Sequence, residues 1–187
     1  MRQSLPRVNP MAARYRKALI EAADHLLGQR AASSITVTDV VTTAAMSRPT
    51  FYQHFDGLGP LFAAAGLARL ERIFTAEATA PSSRTLADHF ASLIAHMEAN
   101  HQFLYHVHTS PGSADFHNGS IDLIVRWLQE LPELHAIPRS DTATWEFLAA
   151  GVLWSVTKHL ADRCQHPDTP ANPLAQDLSD IIQGFFS

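Results

Sequence analysis

The stretch from Thr36 to Phe55 constrains the fold more than any other part of this 187-residue chain, because it contains two helix starts separated by a tight turn. Thr36 and Asp39 have the spacing of a capping box, in which the hydroxyl accepts from a backbone N–H and the carboxylate reaches back to the cap. Ser47 is a second N-cap, and Pro49 follows in the first turn, where its missing N–H costs least. The sequence therefore predicts two short helices joined by a turn.

The second of these helices is predicted to present polar side chains outward. Phe51 and Phe55 are four residues apart, so they point to the same side and would bury against the first helix. The polar residues left on the outer face are Arg48, Thr50, Gln53 and His54. Two helices in this arrangement form a helix-turn-helix, whose second helix can enter the major groove of DNA. Two packed helices of a bundle are the alternative, but a core helix would not place these polar residues on one face.

The same stretch resembles the DNA-binding signature of the TetR/AcrR family of transcriptional regulators. The most specific part is the run Thr50-Phe-Tyr-Gln-His-Phe55, and the resemblance by motif extends over about residues 12–62. Beyond that region only chain length and the helix pattern agree with the family. The resemblance implies an all-α fold, with an N-terminal three-helix head that carries the helix-turn-helix and a C-terminal helical bundle that dimerises.

The resemblance also implies roles for individual side chains of the head. The side chains expected to hold the DNA backbone are Thr36, Ser47, Tyr52 and His54. The side chains expected to lie at base edges are Thr38, Arg48, Thr50 and Gln53.

Two positions depart from the family pattern. Ala45 stands where a turn glycine is common, which costs ~0.5–1 kcal/mol if this residue needs a positive φ. The chain reads Asp56-Gly-Leu-Gly-Pro60 where the family usually has a lysine, so that lysine's phosphate contact at the next helix start is not expected here.

Charge is distributed unevenly along the chain, although the net value is only −4. Residues 1–56 carry seven basic and four acidic side chains, a net charge of +3, whereas residues 57–187 carry seven basic and fourteen acidic ones, a net charge of −7. This division favours a DNA-binding domain at 1–56, carried by a remainder that does not itself touch phosphate. Residues 1–10 have two prolines and no helical period, which predicts an N-terminal arm. The resemblance implies that residues 57–187 form a ligand-binding and dimerisation domain. The basic run Arg14-Tyr-Arg-Lys17 is also consistent with a solvated helix face.

Composition argues against several other classes of protein. The single cysteine, Cys164, cannot form an internal disulfide, which fits a reducing cytoplasm. No apolar run follows the N-terminal basic residues before Met11, so a signal peptide is not expected. No stretch approaches the ~20 apolar residues that span a bilayer. We therefore expect a cytoplasmic protein with no membrane partner.

The rest of the chain shows helical periodicity and no convincing strand. A first helix from Met11 to near Gly28 would cover the two short helices and complete the three-helix head. A longer helix follows directly after the second helix of the helix-turn-helix, which is the recognition helix. Any rotation of the longer helix must therefore move the head. The later helices are predicted at 58–78, from a Ser82 or Ser83 cap to about 100, at 103–108, around 121–131, at 141–163 and at 174–186.

The last helix carries a continuous apolar band that needs a cover. Packing of helices 141–163 and 174–186 against their copies in a second subunit would form a four-helix interface with two-fold symmetry, which the resemblance also implies. Burial within one chain is the alternative. A homodimer would carry two recognition helices, which read half-sites of a pseudo-palindrome ~34–36 Å apart.

The middle helices are rich in large side chains that could line a small-molecule pocket. The predicted ligand-binding residues are Phe90, Met97, Phe103, Tyr105, His106, Phe116, Trp127 and Trp145. Such a pocket would take a small, mostly apolar effector, with Tyr105, His106 and His108 as orienting polar groups. Ordinary core packing is the alternative for each of these residues.

The chain contains eleven histidines, many for its length. His101, His106 and His108 lie close in sequence. Glu98 precedes His101 with the Glu-x-x-His spacing of carboxylate-bridged di-iron bundles. Such a site needs a second copy of the motif, which the chain lacks, and His106 and His108 would point to different sides of a helix. We therefore predict no metal site, no cofactor and no catalytic residue.

These features together predict a sequence-specific, DNA-binding transcriptional regulator. We expect a repressor that leaves a pseudo-palindromic operator when an effector binds a state whose two heads are wrongly spaced. Two alternatives are a helical metal- or cofactor-binding enzyme that keeps the head as a relic, and a TetR-like activator. Metal analysis of the purified protein distinguishes the enzyme from the regulators.

Overall fold

The described part of the chain is entirely helical. The computed structural model describes residues 10–78, 84–135, 138, 141–165 and 174–185, and these form nine α-helices and no strand. In chain order the helices are α1 (Pro10–Leu27), α2 (Val37–Thr43), α3 (Arg48–Tyr52), α4 (Leu58–Ala78), α5 (Leu86–Ala99), α6 (His101–His108), α7 (Ser113–Glu130), α8 (Thr142–Gln165) and α9 (Leu174–Phe185). The predicted all-α fold class is confirmed. Residues 1–9 of the predicted arm, and Phe186, lie outside the described residues.

The first three helices form the predicted three-helix head. In α1 the apolar residues recur at spacings of three and four, and Leu19, Ala23 and Leu27 are buried on one face. Val40 of α2 and Phe51 of α3 are fully buried. Full burial of each large apolar side chain contributes ~1.5–3 kcal/mol, so this shared core fixes the position of α3.

A segment distant in sequence packs with the head. Described residues up to Ala68 form one compact unit together with Tyr105–Phe116. In the turn between α6 and α7, Gly112 lies so close to the start of α4 that a Cβ there would overlap the carbonyl oxygen of Gly59. Helical periodicity does not reveal this approach. The functional boundary predicted after residue 56 stays a prediction.

The second compact unit consists of Arg69–Leu104 and the described residues from His117 onward. Its centre includes Trp127 of α7, whose ring lies 5.6 Å from that of Phe74 and meets the ring of Phe90 edge-on at 5.5 Å. Such aromatic pairs contribute ~0.5–1.5 kcal/mol beyond the area they bury. These contacts connect α4, α5 and α7 within the unit.

α5 begins at a second capping box. The Thr85 Oγ1 accepts from the Asp88 N–H at 3.2 Å, and Asp88 Oδ2 accepts from the Thr85 N–H at 2.9 Å. The hydrogen bonds from Thr85 lower the pKa of Asp88. Ser82 and Ser83, the caps predicted from the sequence, lie outside the described residues, and the capping role belongs to Thr85.

A buried carboxylate joins α4 to α5. Glu77 is only 3% exposed, and its carboxylate accepts from Arg84 Nη1 at 3.3 Å and from Ser92 Oγ at 2.7 Å. His96 Nδ1 lies 3.0 Å from the same carboxylate. Several donors offset the cost of removing this charge from water.

α8 and α9 begin within one residue of their predicted starts. α9 packs mainly against α5 within the second unit. None of the described helices is both long and apolar enough to cross a membrane.

Candidate nucleic-acid interface

α2 begins at the predicted capping box. Thr36 Oγ1 accepts from the Asp39 N–H at 3.2 Å, and Asp39 Oδ2 accepts from the Thr36 N–H at 2.8 Å. The Thr36 hydroxyl also donates to Asp39 Oδ2 at 2.7 Å, so its single hydrogen is used within the cap. A phosphate contact from the Thr36 hydroxyl would require this hydrogen bond to be exchanged.

Arg30 lies beside the same carboxylate, with Nη2 3.2 Å from Asp39 Oδ1. The hydrogen bonds from Thr36, followed by the hydrogen bond and charge of Arg30, lower the pKa of Asp39 from 3.8 to about 2. The carboxylate is therefore ionised at neutral pH and is turned toward partners in the protein. Sequence reasoning missed this role of Arg30, because the residue lies outside the helices and follows no periodicity.

The turn between α2 and α3 is a Schellman motif. The Ala45 N–H donates to Thr42 O at 3.1 Å, and the Met46 N–H donates to Val41 O at 2.8 Å. Ala45 has a φ of 52°, the left-handed conformation that this motif places just after a helix. The condition under which the sequence assigns Ala45 a cost, a positive φ, is therefore met.

α3 begins at Ser47, as the sequence predicts. Ser47 Oγ accepts from the Thr50 N–H at 3.2 Å, and the two hydroxyl oxygens lie 2.8 Å apart. Pro49 lies in the first turn, where the helix has no acceptor for an N–H. The polar side chains at the start of α3 are thereby held in a defined position.

One face of α3 is buried and the other is open. Phe51 is fully buried and Phe55 nearly so, and the two rings pack 6.2 Å apart. Tyr52 is 58% exposed, although its ring edge contacts Phe51. Of the other predicted DNA contacts, Arg48 and Gln53 are exposed, while Thr50 and His54 are half-buried. The outward-facing polar surface expected of a recognition helix is present.

Arg48 and Thr38 join the starts of α2 and α3. Arg48 Nη2 donates a hydrogen bond of 2.5 Å to Thr38 Oγ1. Both residues are exposed, and sequence reasoning assigned both to base edges without predicting that they touch. The contact depends on the turn that brings the two helix starts together, so residue spacing alone does not predict it.

Two side chains of α1 support the C-terminal end of α3 and the residues after it. The Arg16 guanidinium lies over the Phe55 ring, 4.3 Å from its centroid. Tyr15 meets His54 edge-on, with ring centroids 6.3 Å apart. Both belong to the basic run from Arg14 to Lys17, for which the sequence left two interpretations open, a basic DNA-binding surface and a solvated helix face. The tyrosine inside that run, Tyr15, was the signal in the sequence that could have revealed these contacts.

The predicted ligand-binding residues divide between the two units. Tyr105, His106 and Phe116 belong to the first unit. The residues that belong to the second unit are Phe90, Met97, Phe103, Trp127 and Trp145. All eight are buried except Tyr105, which is 62% exposed.

His106 already has a protein partner, because its Nδ1 lies 2.7 Å from the Leu27 carbonyl oxygen. Phe103 stacks under Arg69, whose guanidinium carbon lies 3.8 Å from the ring centroid. An open groove in the second unit is lined by other residues, namely Asn118, Ile121, Asp122, Ala143, Glu146, Phe147 and Ala150. The ligand pocket therefore stays a prediction.

The three histidines that lie close in sequence, His101, His106 and His108, have separate partners within the described residues. His101 Nδ1 lies 2.9 Å from Glu98 O, and His108 packs on Phe116. The Glu98 carboxylate lies 2.8 Å from His159 Nε2. Over the described ranges, no three histidine, cysteine or acidic side chains come together as a metal site would require.

These features define the class of protein: a helix-turn-helix DNA-binding regulator, in which a capped recognition helix rests on a small apolar core. Residues 19–70 match the family described as bacterial regulatory proteins, tetR family. Residues 19–70 therefore carry the DNA-binding domain typical of TetR-family regulators, and the resemblance stated from the sequence is confirmed over this part of the chain.

Two solved structures resemble the whole chain. One is a candidate transcriptional regulator from Pseudomonas aeruginosa PAO1, with 20% identity and a TM-score of 0.49 over 96% of this chain and 92% of that one. The other is a TetR-like transcriptional regulator from Rhodococcus sp. RHA1, with 16% identity and a TM-score of 0.47 over 98% of this chain and all of that one. At these values neither similarity bears on function. No curated protein matches the chain by sequence.

Proposed function

We propose that this regulator is a homodimeric repressor, which binds a pseudo-palindromic operator and leaves it when a small, mostly apolar effector binds. The observation that supports the proposal is the outer face of α3, which presents polar side chains while Phe51 of the same helix is fully buried. A helix held this rigidly can enter the major groove with little rearrangement.

The side chains of α3 divide by the DNA groups within their reach. We assign base reading to Arg48 and Thr50, which lie in the first turn of α3, and to Gln53, the exposed C-cap residue of the same helix. Tyr52 and His54, supported by the Phe51 and Tyr15 rings, are assigned to the phosphate backbone. 

The caps at Thr36 and Ser47 place two helix N-termini at the same surface. Their side chains hold the first turns of α2 and α3, and each is exposed. Both residues are assigned to backbone positioning, since contacts of this kind fix register without reading sequence.

The proposal of a homodimer is supported by an apolar face on the last two helices. Phe147 and Trp154 lie two turns apart on one side of α8 and are 66% and 71% exposed. Ile181 of α9 is 65% exposed. Gly151, between the two aromatics, faces open space. Large exposed apolar side chains are typical of an interaction surface, and a second copy packed on both helices would bury these three residues.

The proposal of an effector site is supported by buried polar atoms in the second unit. Trp127 Nε1 and His89 Nδ1 are buried and have no hydrogen-bond partner among the described residues. A buried donor without an acceptor costs ~1–3 kcal/mol. An apolar effector that carries an oxygen acceptor would satisfy the indole N–H and so favour the ligand-bound state.

Selection of bound duplexes from a random pool tests the proposal. The expected result is a palindromic consensus with half-site centres about one helical turn apart. Recovery of no consensus, or of a single unrepeated half-site, would contradict DNA reading by a symmetric dimer. Addition of an effector should then release the selected duplex, whereas an activator would retain it.

A further inference from the structure

We infer that Thr38 is a positioning residue, which holds the Arg48 guanidinium in the orientation that reads one guanine in each half-site. The inference rests on the proposed DNA-binding function. It changes the role of Thr38 from the direct base reader expected from the sequence to a support for another reader.

A hydrogen bond joins the Arg48 and Thr38 side chains. Arg48 Nη2 donates to Thr38 Oγ1 at 2.5 Å, and the two residues are ten positions apart in the chain. Thr38 stands on the first turn of α2 and Arg48 on the first turn of α3. The hydrogen bond therefore spans the two helices of the motif, and a change in their angle would move the guanidinium.

Arg48 keeps hydrogen-bond donors that can bind DNA while it is bound to Thr38. A guanidinium has five N–H donors in a fixed plane, and Thr38 uses one of them. The remaining donors include pairs that match the O6 and N7 acceptors of guanine. No carboxylate among the described residues pairs with Arg48, unlike Arg30, which is bound to Asp39. The positive charge of Arg48 is therefore available to DNA.

The hydrogen bond to Thr38 restricts the conformational freedom of the Arg48 side chain. A free arginine side chain samples many rotamers, and fixing it on DNA costs affinity. Thr38 fixes one end of the guanidinium before DNA arrives, and the plane of the group then has a defined direction. Within the described part of the chain this acceptor is Thr38 Oγ1, so the hydroxyl, and not the methyl group, is the essential part of the side chain.

Three variants of the full-length protein separate this role from the alternatives. Thr38→Val keeps the shape of the side chain but removes the hydroxyl, and Thr38→Ser keeps the hydroxyl. Thr43→Val makes the same exchange at another exposed threonine of α2 and is the matched control. Each variant and Arg48→Ala are titrated, at one salt concentration, with the selected duplex and with duplexes substituted singly along the half-site.

Arg48→Ala identifies the position that Arg48 reads, and we expect a guanine there. Thr38→Val should reduce discrimination at that same position by about 3- to 10-fold, part of the roughly 5- to 150-fold that a bidentate arginine–guanine pair provides. Thr38→Ser should retain the discrimination of the natural protein, and Thr43→Val should leave it unchanged. Combining Thr38→Val with Arg48→Ala should cause no further loss at that position.

Three results would overturn the inference. One is a loss of preference at a different half-site position in Thr38→Val, which would make Thr38 a direct base reader. A second is uniform weakening on all duplexes in both Thr38 variants, which would reduce its role to helix stability. The third is a base other than guanine at the position that Arg48→Ala relaxes. If the natural protein enriches no duplex at all, the proposed function itself fails, and that outcome is visible before any variant is made.

Discussion

Ala45 has the least favourable backbone conformation in the head that the structure describes. Its φ of 52° belongs to the left-handed region, where a Cβ meets the neighbouring carbonyl. The Schellman hydrogen bonds around it hold this conformation, because they satisfy carbonyls at the end of α2. The head therefore keeps its turn geometry at a cost in stability.

Ala45→Gly should relieve that cost. We expect the free energy of unfolding to rise by ~0.5–1 kcal/mol, since glycine adopts the left-handed region without a steric penalty but loses more freedom on folding. Chemical denaturation of the two proteins measures the difference. The control is Ala44→Gly, one residue earlier, where φ is −79° and glycine should only destabilise. A fall in stability for Ala45→Gly would contradict this explanation.

The carboxylate of Asp39 makes the stability of the head depend on pH. Its pKa is lowered from 3.8 to about 2 in the folded protein, so it stabilises the fold only while ionised. The contribution is complete above the unfolded pKa, near pH 4, and is lost as the pH falls through about 2. Asp39→Asn should lower the melting temperature at pH 7, and the difference should shrink toward pH 2.

Thermal melts of the head's variants between pH 7 and pH 2 measure this effect. Asp56→Asn removes one negative charge from an exposed site in the same part of the chain and serves as the control. A pH-independent difference between Asp39→Asn and the natural protein would show that the capping geometry, and not the charge, carries the stabilisation.

At the scale of elements, α6 is joined to the end of α1 by a buried hydrogen bond. His106 Nδ1 lies 2.7 Å from the Leu27 carbonyl oxygen, one of the groups that α1 cannot satisfy internally. The same segment also packs closely on α4. A Cβ on Gly66 of α4 would overlap the ring of Phe116 and a methyl group of Val107. The head is therefore completed by a segment from the middle of the chain.

His106→Ala should destabilise this unit. We expect a loss of ~1–3 kcal/mol, because the Leu27 carbonyl loses its partner in a buried environment. Chemical denaturation measures the loss, and His117→Ala, at an exposed position of α7, should have little effect. Equal stability of the natural protein and His106→Ala would contradict the structural role given to this histidine.

Local patterns predicted the elements of the head well, and the contacts between distant elements poorly. The caps at Thr36 and Ser47 and the bounds of α4 follow from short-range rules that depend only on neighbouring residues. The hydrogen bond from Arg48 to Thr38 and the place of α6 beside α1 depend on the tertiary fold, so no spacing in the sequence encodes them. The roles of individual DNA contacts stay predictions for the same reason.

At the scale of the whole molecule, the proposed mechanism depends on two heads held at one separation. Trp154→Glu would place a charge in the exposed apolar face of α8, where Trp154 is 71% exposed. We expect the protein to become a monomer, because a buried unpaired carboxylate in an interface costs several kcal/mol. Sedimentation equilibrium measures the mass.

The matched control for that substitution is Tyr105→Glu, which replaces an aromatic residue of similar exposure, 62%, on α6. It should remain a dimer. If the natural protein is monomeric, or if Trp154→Glu stays dimeric, then α8 is not the subunit interface. Loss of dimerisation should also reduce affinity for a palindrome far more than affinity for a single half-site.

The central claim is that the outer face of α3 reads DNA, and a salt-controlled titration of Arg48→Ala and His54→Ala against the selected operator tests it most directly. Arg48→Ala should weaken binding by ~1–3 kcal/mol and relax the base preference at one position of each half-site. His54→Ala should weaken all duplexes about equally and leave the preference intact. Unchanged affinity and unchanged preference in Arg48→Ala would contradict the claim.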